Sequence, residues 1–128
     1  MKKYFYIVVL AFCFANFSPQ EKTATITTTQ LKELLSKEKV QLLDVRTPEE
    51  VQQGFIKSAR FANYLDYNFT VKTLKLINKS KPVYLYCRSG NRSGKACKIL
   101  EEKGFTVINV LGGYTKWKKE NNNETNRN

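Results

Sequence analysis

The chain has 128 residues, enough for one domain and little more. Histidine is absent, which excludes Cys–His dyads, Ser–His–Asp triads and imidazole metal sites together, and the cysteines Cys13, Cys87 and Cys97 lack zinc-like spacing, so neither a metal nor a cofactor is expected. The net charge of +11 comes from basic residues spread along the chain; it reads as solvated faces and an affinity for anions, with no nucleic-acid partner expected.

Residues 1–18 read as a secretory signal. Lys2 and Lys3 precede an apolar run from Tyr4 to Phe14, too short for a bilayer span of about 20 residues. Cys13 and Ala15 are small residues suited to cleavage before Asn16, and the alternative is lipidation at Cys13 in the lipobox-like Leu10-Ala11-Phe12-Cys13. Export to a bacterial periplasm is expected, with no membrane span in the mature form unless Cys13 anchors it. That compartment is oxidising, so a functional thiol there needs a reductant.

The domain is expected over residues 23–119. Thr23 to Ile26 reads as a strand, and Thr27 with Gln30 forms a capping box opening a helix with Leu31, Leu34 and Leu35 on one face. Val40 to Val45 is an apolar strand. Thr47 then caps a short helix with Pro48 at its first position and Glu50 at N3, closed by Gly54. Ala59 to Ala62 is a short strand, and Phe69 to Asn78 has helical spacing with Leu74 and Ile77 inward. Val83 to Tyr86 is a β-prone run opened by Pro82. It leads through a loop into a helix that carries Ala96, Cys97 and Leu100 and stops at Gly104. Thr106 to Val110 is the last strand, and Gly112-Gly113 turns into a short helix bearing Tyr114 and Trp117. Residues 120–128 read as a disordered, Asn-rich tail. Strands alternating with helices predict an α/β domain with a mostly parallel five-stranded sheet.

The loop Cys87-Arg88-Ser89-Gly90-Asn91-Arg92-Ser93-Gly94 places a thiol between a strand end and a helix start. A free thiol titrates near 8.5 and needs help to ionise at neutral pH. The helix N-terminus, inward-facing loop N–H groups and the charges of Arg88 and Arg92 provide it, giving a thiolate in a cradle for a small anion. A nucleotide loop of the form Gly-x4-Gly-Lys-[Ser/Thr] does not fit: the glycines are one residue too close, and Ala96 stands where the hydroxyl belongs. Cysteine phosphatases use Cys-x5-Arg, whereas Arg92 gives Cys-x4-Arg and Ser93 stands at the phosphatase arginine position.

This loop resembles that of rhodanese-like sulfurtransferases, often written Cys-Arg-Ser-Gly-x-Arg-Ser. Two further stretches resemble the same family. One is Asp44-Val45-Arg46 through Glu50 and Gly54 to Ala59, where Val51, Phe55 and Ser58 depart from the usual aromatic, histidine and glycine. The other is Gly112-Gly113-Tyr114 with Trp117. The resemblance implies a rhodanese-like domain in which Cys87 takes sulfane sulfur from thiosulfate or a persulfide and passes it to cyanide or a thiol. It also implies that Arg88, Ser89, Gly90, Asn91, Arg92 and Ser93 bind the substrate. Asp44 and Arg46 either support the loop or form a salt bridge that only shapes their turn. The competing expectations are an exported sulfur-relay or redox module with a protein thiol partner, a related cysteine phosphatase or arsenate reductase, and a binding module without catalysis.

Overall fold

A computed structural model describes residues 23–122. The signal segment and residues 123–128 of the expected tail lie outside the described residues. The strands are β1 (Ala24–Ile26), β2 (Gln41–Asp44), β3 (Arg60–Phe61), β4 (Val83–Tyr86) and β5 (Val107–Val110). Between and after them come α1 (Thr28–Lys37), α2 (Pro48–Gln52), α3 (Phe69–Leu76), α4 (Asn91–Glu102) and α5 (Gly113–Glu120). The strands form one parallel sheet in the order β1-β5-β4-β2-β3, as expected of an α/β domain.

Local chemistry starts two of the helices. Thr27 and Gln30 exchange both capping hydrogen bonds at α1, and Thr47 and Glu50 do the same at α2, where Pro48 occupies the first turn. Each box satisfies two backbone donors that a helix N-terminus leaves unpaired.

Successive strand residues face opposite sides of the sheet, which divides the core in two. Leu43, Val83, Leu85 and Val107 face one side with Ala96, Cys97 and Leu100 of α4 and Phe69 of α3. Leu42, Tyr86 and Val110 face the other with Leu31 of α1 and Tyr114 of α5, and Trp117 packs against them. Leu43, Leu85 and Leu100 are fully buried, and each contributes on the order of 2 kcal/mol by leaving water. The same alternation sorts the polar residues at the C-terminal strand ends. Asp44 shares the face of Leu42, whereas Cys87 and Asn109 share that of Leu85 and Val107.

Two expectations need correction. Leu74 is 42 % exposed; the inward residues of α3 are Phe69 and Thr73, with Leu76 and Ile77 packed against the core. A stripe at i, i+4, i+7 from Phe69 runs through Thr73 and Leu76 and leaves Leu74 one step of about 100° off the face. The helix also stops two residues earlier than its spacing suggests, because Ile77 is already extended. The second correction concerns the start of the tail. Glu120 closes α5 and accepts a hydrogen bond from the Thr28 hydroxyl at 2.6 Å, and Asn121 is buried, accepting from Lys32 Nζ at 2.5 Å. These bonds tie α5 to α1, so order extends past residue 119.

Candidate active site

Cys87 follows the last residue of the central strand β4, and the chain turns at once into α4. Gly90 makes the turn possible: its φ of 111° lies in the left-handed region that glycine adopts without strain. The turn directs the Gly90 N–H onto Cys87 Sγ at 3.1 Å, while Ser93 Oγ stands 3.4 Å from the same sulfur. Burial alone would push the thiol up. The Ser93 hydroxyl and the backbone N–H groups of Ser93, Gly90 and Ser89 outweigh that and hold it below its ordinary range. The Cys87 residue is almost fully buried, so its sulfur sits among donors with little competing water.

The loop is held from behind by α5. The N–H groups of Tyr114 and Thr115 donate to the carbonyls of Cys87 and Arg88 at 2.9 and 3.1 Å. This approach requires Gly113, where a Cβ would lie 2.5 Å from both the Cys87 and the Arg88 carbonyl oxygens.

The candidate residues do not all face the sulfur. Arg88, Ser89 and Asn91 are exposed at the rim, and Gly90 and Ser93 touch the thiol. Arg92 departs from expectation. Its two terminal nitrogens each donate to one oxygen of Glu50 at 2.8 Å, so its charge is compensated and its fork already filled. This pair links α4 to α2. Hydrogen bonds from Arg92 hold the Glu50 carboxyl down at about 2, against an ordinary 4.5. The sign follows directly: the contribution to stability is present above pH 4.5 and is lost as pH falls toward 2. Glu50→Gln keeps the helix cap but removes the charge. It should flatten the acid dependence of stability in that window by about 1 kcal/mol, a modest figure because both side chains touch solvent. Urea titrations of both proteins at pH 7 and pH 3 check this; equal acid losses in the two would contradict it.

Asp44 and Arg46 form a buried pair. Arg46 Nη2 and Nε donate to the carboxylate at 2.7 and 2.9 Å, and the Arg46 backbone N–H donates to Asp44 Oδ1 at 3.0 Å. The guanidinium also donates to the Gly54 carbonyl at 2.8 Å and lies 4.4 Å from the Tyr114 ring centroid. The salt-bridge expectation therefore holds. The pair shapes the turn after β2 and reaches the loop through Tyr114 and, by the bond from Arg46 Nη1 to the Glu50 carbonyl at 3.5 Å, through the partner of Arg92.

Beside the loop is a cleft of about 560 Å³ whose walls include Arg46, Glu50, Arg88, Tyr114, Lys118 and Lys119. A larger groove, about 1040 Å³, lies at the opposite end of the strands around Gln41, Pro82 and Trp117. The smaller one adjoins the Cys87 loop through Arg88. Sequence reasoning missed Asn109 and the second use of Glu50. Asn109 did leave a signal, as a polar residue in the otherwise apolar run Val107-Ile108-Asn109-Val110. Nothing local marked Glu50 beyond its capping role.

The family model for the rhodanese-like domain matches residues 27–120. YtwF of Bacillus subtilis is 41% identical over 96 residues, covering 74% of this chain and 90% of that protein. A sulfurtransferase of Allochromatium vinosum is 39% identical over 85 residues, covering 66% of this chain and 77% of that one. Among solved structures, a rhodanese-like domain protein from Staphylococcus aureus superposes with a TM-score of 0.68 at 36% identity, covering 74% of this chain and 91% of that one. A thiol cradled at a strand–helix junction and a match across nearly the whole described chain lead to one conclusion: the chain belongs to the rhodanese-like family and is, at the level of that family, a sulfurtransferase.

Proposed function

We propose that the chain transfers sulfane sulfur through a persulfide on Cys87, with thiosulfate or a persulfide as donor. The observation that carries this reading is the set of donors around Cys87 Sγ, Gly90 N–H at 3.1 Å foremost. In the first step the Cys87 thiolate attacks the outer sulfur of thiosulfate. A new S–S bond forms, the S–S bond of thiosulfate breaks, and sulfite leaves with that bond's electron pair. In the second step cyanide or a thiolate attacks the terminal sulfur of the persulfide, and Cys87 leaves as thiolate. No oxidant is consumed, and the two half-reactions predict ping-pong kinetics. The loop N–H groups and the start of α4 stabilise the anion present before and between the steps. Arg88 is the loop cation without a carboxylate partner among the described residues, which suits it to drawing in the anionic donor.

The test is mass spectrometry of the protein after incubation with thiosulfate. A gain of one sulfur on the Cys87 peptide, discharged by cyanide, is expected. An unmodified but alkylatable Cys87 would overturn the reading, and turnover of an aryl phosphate would favour the phosphatase reading instead. A second reading, a relay delivering sulfur to a protein thiol, is favoured by the cleft itself. Its rim carries Arg88, Lys118 and Lys119 without an ion-pair partner among the described residues, and it is wider than a small anion needs. With residues 1–18 read as a secretory signal, either reaction belongs outside the cytoplasm.

A further inference from the structure

Asn109 lies on β5, 8 % exposed, on the sheet face that carries Cys87. Its side chain makes two hydrogen bonds, and both go to residues that touch the sulfur. Its Oδ1 accepts from the Ser93 hydroxyl at 2.6 Å, and its Nδ2 donates to the Gly90 carbonyl at 3.1 Å. Ser93 and Gly90 each place an atom on Cys87 Sγ, at 3.4 and 3.1 Å. Space for the amide is left by Gly94, where a Cβ would stand 3.3 Å from Asn109 Nδ2.

The geometry points to Asn109 as a positioning residue for the Cys87 nucleophile, one amide that fixes both the Gly90 turn and the Ser93 hydroxyl against the sulfur. A hydroxyl has one proton. At 2.6 Å that proton is directed to Asn109 Oδ1 in the resting thiol, and the Ser93 oxygen presents a lone pair to Sγ–H. When Cys87 ionises, a charge-assisted bond to sulfur outcompetes the neutral one, and the hydroxyl turns by rotation about a single bond. With its amide reversed, Asn109 would set Oδ1 against the Gly90 carbonyl oxygen, which also accepts from the Gly94 N–H, so two acceptors would face each other. The amide orientation is therefore fixed, and it pins the Gly90 carbonyl, one Cα away from the Ser89–Gly90 peptide whose N–H makes the shorter sulfur contact. The charged and titratable groups that otherwise act on the thiol are Arg92 and Cys97, both from α4, and Arg92 is already paired with Glu50 of α2. The Gly90 carbonyl also accepts from the Gly94 N–H of α4, and Asn109 adds the tie that joins it to β5 and to the Ser93 hydroxyl.

The inference rests on Cys87 being the reactive thiol of the proposed transfer, and its test needs no sulfur donor. The pH dependence of iodoacetamide alkylation is followed on the Cys87 peptide of the full chain, in wild type, Asn109→Asp and Ser93→Ala. Asn109→Asp is nearly isosteric. It turns the donor facing Gly90 into an acceptor, holds the Ser93 proton more tightly and adds a negative charge near the sulfur, and all three effects disfavour the thiolate. The alkylation midpoint should rise by about one pH unit or more, roughly a tenfold loss of thiolate at neutral pH. Ser93→Ala should raise it by less, because the backbone N–H groups remain. A midpoint equal to wild type in folded Asn109→Asp, with only the melting temperature changed, would reduce Asn109 to a satisfied core residue and overturn the inference. If that variant does not fold, Asn109→Ala adds no charge and serves in its place. It should also raise the midpoint, because freeing one hydroxyl is outweighed by loosening the loop that carries three N–H donors. Thiosulfate loading of wild type is scored separately. Its failure would remove the transferase reading while leaving the alkylation result to stand or fall by itself.

Discussion

Cys87→Ala should reduce thiosulfate:cyanide transfer to the uncatalysed background and abolish the sulfur adduct. Loss of a nucleophile that forms a covalent intermediate removes both half-reactions at once, an effect on the order of 10⁶ in kcat where such losses have been dissected. The fold should survive. Removing one sulfur from a buried site leaves a small cavity, worth about 1 kcal/mol, and the backbone bonds from Tyr114 and Thr115 to the loop do not involve the side chain. Cys97 cannot take over. It is fully buried in the core, and burial pushes its thiol up to about 12, so it is neither accessible nor ionised at neutral pH. The measurement is initial rate together with intact mass after thiosulfate, with circular dichroism to show that the variant is folded. Cys87→Ser sharpens the result. It restores most of the volume, but its hydroxyl does not ionise near neutral pH, so it too should carry no sulfur. A sulfur adduct that persists in folded Cys87→Ala would assign the chemistry to another residue.

What could be read from the sequence was local. The capping boxes Thr27–Gln30 and Thr47–Glu50 span four residues each, and both are present as written. The loop from Cys87 to Ser93 carried its chemistry in consecutive residues, so its thiol, its glycine turn and its helix start were legible together. Long-range pairings were not. Arg92 looked like a free cation because its partner Glu50 is 42 positions away and already served as a helix cap. Asn109 could be noticed as a polar interruption of a strand, but its ties to Ser93 and Gly90 exist only once β5 lies beside β4. Periodicity failed at Leu74, where an apolar residue sits just off the buried stripe of a short helix. Composition failed at Glu120 and Asn121, where polar residues are bound into α1 despite resembling a tail. In each miss the sequence showed the residue type correctly, and a contact made by a distant element decided its environment.

The buried pair next to the site yields the second large effect. Asp44→Ala should destabilise the domain by about 3–5 kcal/mol, the usual result of leaving one member of a buried ion pair alone. Arg46 is 4 % exposed and Asp44 is 0 % exposed, so water does not readily replace the lost carboxylate. The same substitution strips an acceptor from the Arg46 backbone N–H. In a domain of this size that loss corresponds to a melting temperature lower by at least about 10 °C. It does not follow that the pair is a net source of stability, because both charges lost their hydration on folding. Asp44→Ala with Arg46→Met separates the two ideas. The methionine removes the unpaired charge and keeps an apolar body against Tyr86 and Tyr114, so the double variant should recover much of the loss. Urea unfolding of the three proteins checks this. A double variant no more stable than Asp44→Ala would show that the bond from Arg46 to the Gly54 carbonyl, and not the charge balance, holds this corner together. Such a result would matter at the site as well. Tyr114 lies between that corner and Cys87: its ring stacks on Arg46 and its N–H donates to the Cys87 carbonyl. Displacing Arg46 would therefore be felt first at the base of the loop, and sulfur loading measured well below the melting temperature should fall in the variant that displaces it.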